Sequence, residues 1–139
     1  MKKIFSAGIL ILSLSLSTLA QKAEVLYFKD VIPVCCMARS CDNLEATIKK
    51  IVEDNFSQDK VLFRVVRIRH EDNKDLVEQL NPRSQSVFIT DLSNKNVESI
   101  DADATVRNYT RTRDLKTLES ELLLMINNFL ETKAEAGSP

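Results

Sequence analysis

VLFRVVRI, residues 61–68, is the longest β-branched run in the chain and reads as a largely buried strand. Upstream, EVLYF at residues 24–28 is a second short apolar run of strand character. Between them Leu44, Ile48, Ile51, Val52 and Phe56 recur at helical spacing, with Lys49, Lys50, Glu53 and Asp54 facing away. Asp42, followed three residues later by Glu45, has the form of a capping box and predicts the helix start there. The interval from residue 29 to 40 contains Pro33, lacks periodicity and is predicted as a loop. Strand, helix, strand at this spacing is long enough for a parallel βαβ crossover.

Downstream, residues 71–80 form a short polar helix with Leu76, Val77 and Leu80 as its apolar contacts, ended by Asn81-Pro82. SVFIT, residues 86–90, is a third strand. Residues 91–95 have turn chemistry, and 96–100 are predicted as a fourth, antiparallel strand. A final helix is predicted from about Arg113 to Leu130, with Leu115, Leu118, Leu122, Met125, Ile126 and Phe129 on one face. The order β-α-β-α-β-β-α predicts an α/β fold, a four-stranded mixed sheet with helices on both faces.

The N-terminus carries its own signal. Lys2 and Lys3 precede an apolar and hydroxyl-rich run from Ile4 to Leu19, and Thr18-Leu19-Ala20 offers small residues at a signal-peptidase site. The apolar run, about 16 residues, falls short of the roughly 20 that span a bilayer. Residues 1–20 are therefore expected to be a cleaved signal peptide. Residues 21–131 then form one domain and 132–139 a disordered tail, in a periplasmic or secreted protein with no membrane attachment after cleavage. The 139-residue chain holds 19 Lys and Arg against 20 Asp and Glu, and the leader removes two of the lysines. An acidic, interspersed surface gives no footprint for nucleic acid. No glycine-rich phosphate loop exists and no cofactor is indicated.

The chemistry visible in the sequence is three cysteines, Cys35, Cys36 and Cys41. Cys41 is placed at the expected start of the first helix, where free N–H groups and the helix dipole favour a thiolate. A bond from Cys41 to Cys35 or Cys36 requires residues 37–40 to turn, because Cα atoms must come within about 7 Å. Three readings stay open: thiol–disulfide exchange with protein or small-molecule thiols and disulfides, capture of a thiophilic metal or metalloid by thiolates, and a structural or partner-binding module with an inert disulfide. His70, the single histidine, reads as a strand-end residue. Arg64, Arg67 and Arg69 read as a rim paired with nearby acids. Asp101 and Asp103 lack the glycine and closing glutamate of a calcium loop.

EVLYF, a cysteine leading into a helix with Glu45 four residues on, VLFRVVRIRHEDNKDL, QSVFIT and Tyr109-Thr110-Arg111 together resemble the thioredoxin-like superfamily over most of residues 24–130. The pattern is most similar to small exported bacterial thioredoxin-like proteins described as nitroreductase-subunit-like or arsenic-associated. The resemblance implies a thioredoxin-like fold and disulfide chemistry, with Cys41 in the place of the second cysteine of a Cys-x-x-Cys motif. The place of the first is taken by Ala38. Gln85 stands where that superfamily carries a cis-proline that helps hold a substrate chain before the third strand.

Overall fold

A computed structural model describes residues 23–30, 37–93 and 97–136, with side chains in the first helix described from Asn43 onward. The expected leader at 1–20 lies outside the described residues. Among the described residues no helix is long and apolar enough to cross a membrane.

The architecture is a mixed four-stranded sheet flanked by helices on both sides, in the order β2-β1-β3-β4. β1 (Ala23–Lys29) is central and pairs in parallel with β2 (Val61–Arg67), from Ala23 opposite Val61 to Lys29 opposite Arg67. On its other side it pairs antiparallel with β3 (Val87–Thr90), Tyr27 facing Val87. β4 (Ser99–Asp101) closes the far edge, antiparallel to β3. A central strand is covered on both faces, which is why β1 reads as an unbroken apolar run.

Its odd-numbered residues Val25 and Tyr27 enter the larger core with α1 (Met37–Asn55) and α4 (Leu115–Ala136), through Leu44, Ile48, Val52, Leu118, Leu122, Ile126 and Phe129. Its even-numbered residues Leu26 and Phe28 meet Val66 and Phe88 on the opposite face. That second face is covered by Leu76, Val77 and Leu80 of α2 (Lys74–Leu80), which follows a 3-10 turn at Glu71–Asn73.

Three boundaries depart from the sequence reading. α1 begins at Met37, so residues 37–40, expected in a loop, are helical. Met37, Ala38 and Arg39 are good helix formers and no glycine or proline separates them from Asp42, so the local capping pattern does not stop the helix. A helix missing from the sequence reading, α3 (Asp103–Thr112), precedes α4 and ends where Arg113 turns left-handed at φ 60°. Asp114 then caps α4, accepting from the Thr117 N–H at 3.1 Å and its hydroxyl at 2.8 Å.

α4 also continues through residues 132–136, expected in a disordered tail. Lys133 explains the extension. Its ammonium is buried between Glu98 at 2.8 Å and Asp91 at 3.5 Å, tying the helix end to the β3–β4 connection. The hydrogen bond to Glu98 raises the Lys133 pKa against the opposing effect of burial. Burial pushes Asp91 up, but hydrogen bonds from the Ser93 hydroxyl and N–H, with Lys133 nearby, outweigh it and hold the carboxyl below its usual value.

The Asp91 contribution is therefore present above the ordinary value of 3.8 and is lost as pH falls through the lower folded value. That of Lys133 is full below 10.5 and lost as pH rises through its raised value. Urea midpoints are expected to fall more steeply between about pH 6 and about pH 3 in the wild type than in Asp91→Asn. Equal slopes would contradict the role given to this ion pair.

The basic rim on β2 is largely paired, as its charge pattern suggests. Arg64 lies 3.6 Å from Glu24 and Arg69 2.9 Å from Asp30. His70 is exposed, its Nδ1 3.4 Å from Asp72.

Candidate functional site: the cleft between the turn before β3 and α3

The chain leaves α2 through Asn81, whose left-handed backbone (φ 45°) lets its N–H reach the Val77 carbonyl at 2.8 Å. After Pro82 it makes a tight turn over Arg83–Ser86. The Ser86 N–H donates to the Arg83 carbonyl at 3.0 Å, and the Arg83 N–H donates to the Ser86 hydroxyl oxygen at 2.9 Å. Gln85, third in this turn, has φ 72°.

The turn is bound to the end of β1. The Gln85 N–H donates to the Phe28 carbonyl at 2.8 Å and the Phe28 N–H to the Ser86 carbonyl at 2.9 Å. Among the described residues no peptide bond is cis.

α3 is locked against this turn by one carboxylate. Asp103 accepts from the Ser86 hydroxyl at 2.9 Å through Oδ2 and from the Val87 N–H at 3.1 Å through Oδ1. The helix start is fixed by Asp101, whose Oδ1 accepts the Asp103 N–H at 2.7 Å, and by the Ala102 N–H on the Val87 carbonyl at 2.9 Å. The two aspartates set aside as a calcium loop are thus a capping and latching pair.

Asp103, Val106, Arg107 and Thr110 fall at i, i+3, i+4 and i+7, one face of α3. With residues 83–86 they line a cleft of about 100 Å³. Val106 is buried beneath it, and Arg83 and Arg107 are exposed at its sides. Neither guanidinium makes an ion pair or a hydrogen bond among the described residues, and the one carboxylate in the cleft is turned to the Ser86 hydroxyl and the Val87 N–H. The Thr110 hydroxyl donates to the Arg107 carbonyl at 2.8 Å. The Ser86 hydroxyl is buried and already donates to Asp103, and no histidine stands beside it to act as a base. Among the described residues lining the cleft there is no activated nucleophile.

The cysteine site expected from the sequence is corrected. Cys35 and Cys36 lie outside the described residues, as does the side chain of Cys41. Residues 37–40 are helical where a Cys41 bond to either upstream cysteine needs a turn. The backbone of Cys41 stands a full turn inside α1, beyond the first-turn N–H groups that were to favour its thiolate. The described residues contain no disulfide, and no group of three or more His, Cys, Asp or Glu that could hold a metal ion. Thiol–disulfide exchange, an inert disulfide and metalloid capture therefore lose their structural basis.

The sequence reading named Gln85 of the cleft as the residue in the proline place, met Asp103 only as a rejected calcium ligand, and gave Arg83 and Arg107 no role. Arg83 and Arg107 are 24 positions apart and carry no local motif. The Asp-x-Asp pair before a Val106/Tyr109 spacing was the available signal for the α3 start. No family model, no curated protein and no solved structure matches this chain.

Proposed function

We propose that the chain is an exported, thioredoxin-like domain that works as a non-enzymatic binding module, holding an extended segment of a partner protein at the Arg83–Ser86 turn. The strand order, with β1 between a parallel β2 and an antiparallel β3, supports the thioredoxin-like reading. So does the position of the turn, hydrogen-bonded to the end of β1 in the place where that superfamily holds a substrate chain.

The observation that carries the binding role is the backbone of Gln85. Three described non-glycine residues have positive φ, and two of them, Asn81 and Arg113, are ordinary left-handed helix C-caps. Gln85 caps no helix; it holds the third position of the Arg83–Ser86 turn, where a type II turn takes positive φ and normally a glycine. A left-handed conformation costs a residue with a Cβ about 1–2 kcal/mol, and such strain concentrates at ligand clamps. Here it directs Ser84, exposed at the corner of the turn, outward beside the cleft.

The test is fluorescence polarisation with a labelled pool of unstructured octapeptides. Wild type is expected to bind the pool, and Ser84→Tyr, which places a ring over the exposed corner, to weaken it about tenfold or more with an unchanged melting temperature. Equal binding by the two proteins would contradict the assignment of the turn as the contact surface.

A further inference from the structure

Two arginines flank one small cleft, and among the described residues neither is paired with an acid. Exposed arginines ordinarily find a carboxylate or dissolve into solvent singly. Arg64 and Arg69 show the first outcome in this chain, at 3.6 and 2.9 Å from their acids. Arg83 and Arg107 are instead brought to one cleft from different elements, a turn and a helix. The carboxylate between those elements, Asp103, is turned to the Ser86 hydroxyl and the Val87 N–H and forms an ion pair with neither arginine among the described residues. The two hydroxyls of Ser86 and Thr110 are likewise committed as donors within the protein. The lining therefore carries two positive groups against one negative, and its charged donors are the guanidinium forks of Arg83 and Arg107.

We infer that this cleft is an oxyanion subsite, in which Arg83 and Arg107 take a carboxylate from an Asp or Glu side chain of the bound segment. The inference rests on the binding role proposed for the adjoining turn. Size selects a group, not a whole ligand. About 100 Å³ is well below the roughly 300 Å³ at which small-molecule pockets begin, and it excludes a nucleotide or sugar ring. Chemistry selects the group, because the planar guanidinium fork matches a carboxylate with two parallel N–H···O bonds. Location selects the source, since the cleft adjoins Ser84 and Gln85, so a chain lying along the turn can lower a side chain onto the buried Val106.

Calorimetry with an octapeptide bearing one central Glu, and with the same peptide bearing Gln, separates the possibilities. The wild type is expected to prefer the Glu peptide about tenfold, equivalent to about 1.4 kcal/mol, and the preference is expected to shrink as salt rises. The double variant Arg83→Gln/Arg107→Gln is expected to bind both peptides equally, and Arg83→Lys/Arg107→Lys to retain part of the preference. All four changes fall at exposed positions without protein partners, so folding is preserved.

If both peptides bind the wild type equally, the oxyanion subsite is overturned and the binding module stands. If neither binds, the binding module itself is overturned. Inorganic phosphate is the free-anion arm: should it shift the guanidinium resonances of Arg83 and Arg107 while neither peptide binds, the pocket serves a free oxyanion, and its assignment to a partner's carboxylate is overturned.

Discussion

Asp103→Ala is expected to destabilise the protein by about 3 kcal/mol, an effect large for a half-buried polar residue. Hydrogen bonds to a charged acceptor contribute about 1.5–3 kcal/mol each, and leaving a buried donor unpaired costs about 1–3 kcal/mol. Asp103 provides two such bonds, to the Ser86 hydroxyl at 2.9 Å and the Val87 N–H at 3.1 Å. Both donors belong to residues that are buried in the intact protein. Asp103→Asn keeps one acceptor oxygen and is expected to lose about half as much. Urea unfolding at constant m-value reads both changes. A loss below about 0.5 kcal/mol for the alanine variant would mean that the Asp103 bonds do not hold α3 against the turn. Because the same latch sets α3 against the turn, peptide binding is expected to weaken in both variants while the fold survives.

Phe28→Ala carries the largest expected cost, about 3–5 kcal/mol for removing a fully buried aromatic ring. Phe28 is inaccessible to solvent and packs edge-on against Phe88, with ring centroids 5.7 Å apart and planes at 86°. The face it fills is the thinner of the two, covered by one seven-residue helix. A helix that short has no stability of its own, so α2 depends on this apolar contact. Hydrogen exchange at residues 74–80 is expected to accelerate more than exchange in α4, whose contacts lie across the sheet. Uniform acceleration in both helices would contradict the division into two cores. Since α2 delivers the chain to the Arg83–Ser86 turn, loosening it also loosens the proposed binding surface.

EVLYF and SVFIT were legible because burial on both faces leaves a continuous apolar run, whereas VLFRVVRI, expected to be largely buried, is an edge strand with Val61 and Val66 buried and Leu62, Arg64, Val65 and Arg67 exposed. The helices were legible where tertiary contact follows a 3.6-residue period, as at Leu118, Leu122, Ile126 and Phe129. They were misread where other forces set the boundary. Asp42 and Glu45 imitate a helix start in a chain already helical from Met37. α3 offers little apolar periodicity, and its start is fixed by Asp101 and Asp103, whose hydrogen bonds include partners 16 and 17 residues away. The end of α4 depends on Lys133 meeting Asp91 and Glu98 across the fold.

The same distinction explains the site. Cysteines clustered in sequence attract chemical readings, but adjacency along a chain does not set geometry once a helix intervenes. The cleft instead assembles from a strained turn and a helix face that are separated in sequence and joined by one carboxylate. Gln85 was accessible to comparison with a known pattern, and there the residue type gave no hint of its backbone conformation.

The central claim is that a partner segment is held at the turn before β3. It is tested most directly by amide chemical-shift mapping of the protein titrated with the Glu-bearing octapeptide. The account expects the largest saturable shifts at residues 83–87 and along the Asp103, Arg107 and Thr110 face of α3. Saturable shifts centred elsewhere, with residues 83–87 and α3 unmoved, would contradict it.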